Sequence, residues 1–132
     1  MKLEELNIYN LAMELGEEIW TIVKCWNSFE KDTMGKQLIR AVDSIAANLA
    51  EGFGRYHFKD VKNFGYYSRG SLYETKIWLT KAHNRTILGD DDFKKLQQKI
   101  NDIGVKLNNY IKSIGKSTNS SISNLSTTNH NE

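Results

Sequence analysis

Two carboxylates set among arginines and small polar groups are the residues in this chain best placed for chemistry. Arg40, Ser44, Asn48, Glu51 and Arg55 recur at spacings of four, four, three and four, and Gly70, Ser71 and Glu74 follow on a second periodic stretch. At about 100° per residue, each set makes a face roughly a third of a turn from the apolar stripe of its own helix. Paired carboxylates could move a proton or hold a metal ion. A di-iron bundle, however, places a His three residues after a Glu on two helices, and neither Glu51 nor Glu74 has one. No metal site is expected. The plainer reading is a polar network inside the bundle or between subunits. Arg40 or Arg55 would then partner Glu51 and Glu74, and the small residues would let helices approach.

Other catalytic patterns fail on spacing. RNA-cleaving helical bundles of the higher-eukaryote-and-prokaryote nucleotide-binding class use an Arg followed four to six residues later by a His. None of Arg40, Arg55, Arg69 or Arg85 has a His in that window; His57 comes two residues after Arg55, and His83 stands alone late in its helix. A general base also needs an orienting partner. Cys25 lies beside Trp26 with no His near it in sequence, and reads as a small buried hydrophobe. Gly52-x-Gly54 lacks the third glycine and the preceding strand of a phosphate loop. Neither a catalytic residue nor a cofactor is expected.

A binding surface is easier to find. Lys62, Tyr66, Arg69, Tyr73 and Lys76 recur at four, three, four and three, so they share one outward face of a helix. Cations alternating with aromatic rings suit a phosphate backbone with bases stacked between the contacts. Arg55, His57 and Lys59 extend the charge at its start. The same row also reads as a solvated face whose Tyr and Lys stems cover apolar surface, or as a protein contact, where Tyr and Arg are enriched.

The elements that must carry these residues are helical. Ile8, Leu11, Leu15, Ile19, Ile22 and Trp26 mark a first helix, broken at Asn27-Ser28. Met34, Leu38, Val42, Ile45, Leu49 and Phe53 mark a second, with Asp32 or Thr33 as its N-cap. A third spans about residues 59–88, with Val61, Phe64, Ser68, Leu72, Thr75, Leu79 and Ala82 on one face and Gly89 as its stop. Phe93, Leu96, Ile100, Ile103, Leu107, Tyr110 and Ile114 mark a fourth, which opens on Asp90-Asp91-Asp92, where a helix N-terminus favours negative charge. Short connections between long amphipathic helices predict an all-α, antiparallel up-down-up-down four-helix bundle over residues 1–115. Residues 116–132, rich in Ser, Thr and Asn, read as a disordered tail.

Composition agrees. The chain has 132 residues, 39% hydrophobic and 26% charged, with no proline, which disfavours a turn-rich β architecture. No apolar run is long enough to cross a membrane, and Met1-Lys2-Leu3-Glu4-Glu5 opens an acidic amphipathic stretch where a secretory signal would be apolar. A single cysteine fits a reducing compartment, so a cytoplasmic location is expected. Net charge is only +2, but residues 51–85 hold +4 against −3 for residues 1–50. A nucleic-acid contact would therefore be a stripe, or a surface multiplied by oligomerisation.

The stretch Arg-Ala-Val-Asp-Ser-Ile-Ala-Ala-Asn-Leu-Ala-Glu-Gly-Phe-Gly-Arg at residues 40–55, followed by Gly70-Ser71-Leu72-Tyr73-Glu74, resembles the four-helix-bundle family encoded in intervening sequences of bacterial 23S rRNA genes. That family, often called "S23 ribosomal protein", is similar to the accessory variability determinant of diversity-generating retroelements. The likeness covers about residues 4–114. It implies a homo-oligomer, pentameric in relatives, with suspected nucleic-acid association and no established enzymatic activity. Arg40, Ser44, Asn48, Glu51, Gly52, Arg55, Gly70, Ser71 and Glu74 are the signature positions it carries over. Ala46 stands where many members have Pro. Two functions follow: a homo-oligomeric accessory protein binding RNA or DNA through the basic-aromatic row, or a scaffold using that row to dock a protein such as a reverse transcriptase.

Overall fold

The computed structural model describes residues 1–116, and the expected tail from residue 117 onward lies outside the described residues. Four long helices dominate: α1 (Asn7–Val23), α2 (Lys36–Phe53), α3 (Phe58–Asn84) and α4 (Asp90–Ser113). Consecutive helices pack side by side and α4 closes back on α1, which makes the up-down-up-down bundle. The expected apolar positions meet in one core that includes Ile8, Leu15, Leu38, Leu49, Leu72, Leu79, Leu96 and Leu107. Among the described residues no helix is long and apolar enough to cross a membrane.

The start of the second helix differs from expectation. Asn27, read as a break, is also the cap: its Oδ1 accepts from the Glu30 backbone N–H at 2.8 Å, and Glu30 Oε1 accepts from the Asn27 N–H at 3.2 Å. This reciprocal box satisfies two otherwise orphaned donors, so helical structure begins at Ser28 and not at Asp32 or Thr33. A π-helical turn, Lys31–Gly35, then leads into α2. The wider turn sets Gly35 against α1, where an added Cβ would come within 2.8 Å of Val23 Cγ1.

The α2–α3 pair is the tightest in the molecule, and small residues explain why. Ser68, fully buried on α3, donates its hydroxyl to the Ile45 carbonyl on α2 at 2.8 Å. Gly52 faces Phe64 so closely that a Cβ there would approach the Phe64 Cβ to 2.7 Å. A third helix extended to residue 88 is not what forms. α3 stops at Asn84, and Thr86 takes a left-handed turn (φ 60°). The N–H groups of Ile87 and Leu88 then both reach back to the Ala82 carbonyl. Leu88 is thereby buried in the core as a plug and not as part of the helix.

Candidate nucleic-acid interface

α3 is 27 residues long, about 40 Å at 1.5 Å per residue, and presents two flanks on either side of its buried face. One leans toward α4 and carries the row singled out by the sequence. The other leans toward α2 and carries the signature residues. Helical geometry separates the two flanks by about 150° around the axis.

On the α4 flank the structure aligns Lys62, Tyr66, Arg69, Tyr73 and Lys76 along one edge. Tyr66 and Tyr73 are well exposed, and Lys62 and Arg69 are half-buried. The Arg69 guanidinium stacks over the Tyr66 ring at 4.9 Å and donates to Asn108 Oδ1 on α4 at 3.1 Å. These two contacts hold a flexible side chain in one orientation. Beside the row runs a shallow groove of about 330 Å³, bordered by Tyr73, Lys76, Asn101, Gly104, Val105 and Asn108. Gly104 opens it by lacking a side chain. The α4 contribution, Asn108 above all, was not visible from a row read along α3 alone.

Arg55 does not join that row. It pairs with Glu51 at 2.8 Å and lies over the Phe64 ring at 4.9 Å, which places it on the α2 side. Lys59 sits exposed in the first turn of α3, between the two flanks.

Of the expected network only the Arg55–Glu51 pair forms, and the signature side chains other than the buried Gly52 lie on one surface. Ser44 donates to the Arg40 carbonyl at 2.7 Å and Asn48 to the Ser44 carbonyl at 2.9 Å, both within α2. Glu74 accepts from the Trp78 indole N–H at 3.3 Å and not from an arginine. Arg40 is exposed and makes no ion pair among the described residues. The polar contacts on this flank are thus local, because each side chain finds a partner one helical turn away. Gly70 was expected to admit a neighbouring helix, yet nothing lies within 4 Å of where its Cβ would stand. The close approach belongs to Gly52. An aromatic ladder missed by the sequence completes the flank: Phe64 and Tyr67 meet edge-on at 5.3 Å, and Lys81 covers the Trp78 ring at 5.3 Å.

Isolated nucleophiles and bases have structural surroundings. Cys25 is exposed, not buried, because α1 ends beneath it, and its thiol points to the Thr21 carbonyl at 3.6 Å. His83 meets Asp90 Oδ1 at 2.6 Å and stacks on Phe93 at 4.2 Å, tying the end of α3 to the start of α4. That contact, and the charge on His83, hold the Asp90 carboxyl below its ordinary range. Asp43 on α2 is shifted the other way, first by partial burial and then by the neighbouring Glu17. Among the described residues no group of three His, Cys, Asp or Glu side chains converges as a metal site.

Residues 4–109 match the family model of the 23S rRNA-intervening sequence protein. The fold is similar to a crystal structure of a protein of unknown function from the S23 ribosomal protein family of Bacteroides thetaiotaomicron. That likeness has a TM-score of 0.72 at 21% identity, over 80% of this chain and 98% of that one. No curated protein matches the chain.

Proposed function

The chain belongs to the 23S rRNA-intervening sequence protein family, and we propose that it is a non-enzymatic, homo-oligomeric accessory protein that associates with RNA or DNA. The observation that carries this reading is the α4 flank of α3. Its three cations and two tyrosines follow one edge, and Arg69 is fixed between Tyr66 and Asn108. Phosphates would pair with Lys62, Arg69 and Lys76, and bases would stack on the exposed rings of Tyr66 and Tyr73. The contact is a stripe of modest charge, so affinity in one copy is low. Repetition in a ring multiplies it by raising the effective concentration of each further contact.

Self-association has its own support on a different face. Trp20 is 54% exposed above a groove of about 410 Å³ between α1 and the start of α2, lined by Val23, Gly35 and Ile39 with Lys24, Lys36 and Arg40 at its edges. Exposed apolar surface of this kind marks protein contacts, and its use for assembly leaves the α3 row open. The scaffold reading rests on the α3 row itself. Tyr and Arg are enriched in protein interfaces, and the exposed Val105 beside Tyr73 gives a protein such as a reverse transcriptase something apolar to bury.

Light scattering on a size-exclusion column, at low and high salt with and without a short RNA, separates these. A discrete oligomer whose mass rises with RNA at low salt and falls back at high salt is expected. A discrete oligomer indifferent to RNA shifts the reading to the scaffold. A monomer of about the chain's 15.2 kDa removes the assembly.

A further inference from the structure

We propose that the end of the bundle where α2 turns into α3 holds a pocket for one unstacked base of a single strand, a site separate from the α3 row but resting on the same nucleic-acid reading. The turn runs Arg55-Tyr56-His57-Phe58-Lys59, a strict alternation of nitrogen-bearing and aromatic side chains. Tyr56 is 91% exposed, the most exposed large ring in the described chain, and its one ring contact is edge-on with His57 at 5.1 Å. At that exposure the ring is available to a planar ligand. Base stacking on an aromatic ring is sequence-tolerant because every base has a π-face.

Behind the turn lies a cavity of about 340 Å³ bordered by Phe53, Tyr56, Phe58, Tyr110 and Ser113, with Arg55 among its polar members. Ligand pockets run from roughly 300 to 1,000 Å³ and combine apolar walls with a few polar groups, so a single base is the right scale. Tyr110 is the telling residue. It is 2% exposed, and its hydroxyl has no hydrogen-bond partner among the described residues. Buried tyrosine hydroxyls nearly always have a partner. Burial also pushes this phenol up to about 12, so it stays a neutral donor across the ordinary pH range. A base offers the missing acceptor on its edge, and its flat faces match the aromatic walls. Arg55 spends Nη2 on Glu51 and keeps further donors of its five for the attached phosphate. The cavity also adjoins the row: Phe58 and Lys62 are one helical turn apart on α3, about 6 Å along the axis, so one strand can reach both.

The test is fluorescence anisotropy on the full chain at fixed salt, with a labelled single-stranded oligonucleotide and a strand of equal length and charge that lacks bases. The base-bearing strand is expected to bind about tenfold more tightly. Tyr56→Ala should remove about threefold of that difference, the rest being held by Tyr66 and Tyr73 on the row, and Tyr110→Phe a smaller part, about twofold, with the baseless strand unaffected. Tyr110→Phe keeps the ring in the core, and unchanged thermal melting verifies the fold. Equal binding of both strands by the wild type overturns the pocket while leaving the backbone contact of the row intact. Failure of both strands to bind overturns the pocket and the nucleic-acid reading together. Competition by a mononucleotide as strong as that of the strand overturns the strand as ligand in favour of a free nucleotide.

Discussion

α3 carries two surfaces built from similar residue types, and they behave differently. On the α4 flank, Arg69 reaches across to Asn108 and lies against Tyr66, so its position depends on two helices. On the α2 flank, Ser44, Asn48, Glu51 and Glu74 satisfy themselves one turn along their own helices. Beneath that flank the backbones come closest, through Gly52 and Ser68. The polar groups most characteristic of the sequence therefore do not join the helices. The small ones do. The proposed binding falls to the open row of cations and rings on one side, and the packing of α2 on α3 to the closely packed seam under a self-satisfied polar surface on the other.

That division can be broken at Gly52. Replacing it with Ala puts a Cβ into Phe64, and overpacking of this kind costs about 1–3 kcal/mol. Urea unfolding should show a lower midpoint at unchanged slope; no change would mean the α2–α3 seam relaxes freely. Asn108→Ala should cost about 1 kcal/mol, less than the usual value for a hydrogen bond to a charged group because solvent reaches this one. It should also loosen Arg69, read out as weaker RNA binding without a change in oligomeric mass. Gly70→Ala goes the other way. With open space around it and helix on both sides, it should stabilise the chain by about 0.5–1 kcal/mol. If it instead lowers the oligomeric mass, a neighbouring copy sits there, and the α2 flank is an assembly surface.

The smallest effect is set by pH. The Asp90 carboxyl is depressed by its contact with His83, so its contribution is present above its ordinary value of 3.8 and is lost as pH falls through the lower folded value. Asp90→Asn should accordingly flatten the fall in melting temperature below about pH 4. An unchanged acid limb would mean the pair does not hold α3 to α4.

Much of this was legible in the sequence, and the reasons differ by residue. The apolar stripes of all four helices are simple periodicity, and most positions named from them are buried, with Leu11, Ile22, Phe53, Val61, Phe64 and Phe93 partly so. The row on α3 was legible for the same reason, because spacing alone places residues on a face. What spacing cannot supply is the partner across a groove. Asn108 lies 39 positions from Arg69, and no pattern links them. Glu51 finds Arg55 as its spacing predicts, whereas Glu74 takes the Trp78 indole, because a carboxylate bonds whatever donor is one turn away. Cys25, read as buried beside Trp26, is exposed because α1 ends at Val23, about one turn before the apolar periodicity does. The Arg55 to Lys59 alternation was visible throughout as charge. Its tie to Tyr110 depends on α4 stopping against the same turn, where Gly115 bends at φ +74° beside Phe58.

The division of α3 into a binding flank and a packing flank is tested most directly by neutralising each and measuring how RNA affinity depends on salt. Lys62→Gln, Arg69→Gln and Lys76→Gln together should weaken binding and reduce the slope of log affinity against log salt by about 2, as three lost contacts to a single strand require. Arg40→Gln with Lys81→Gln, on the α2 flank, should leave that slope unchanged. A slope that falls with the α2-flank pair and holds with the α4-flank triple would contradict the account.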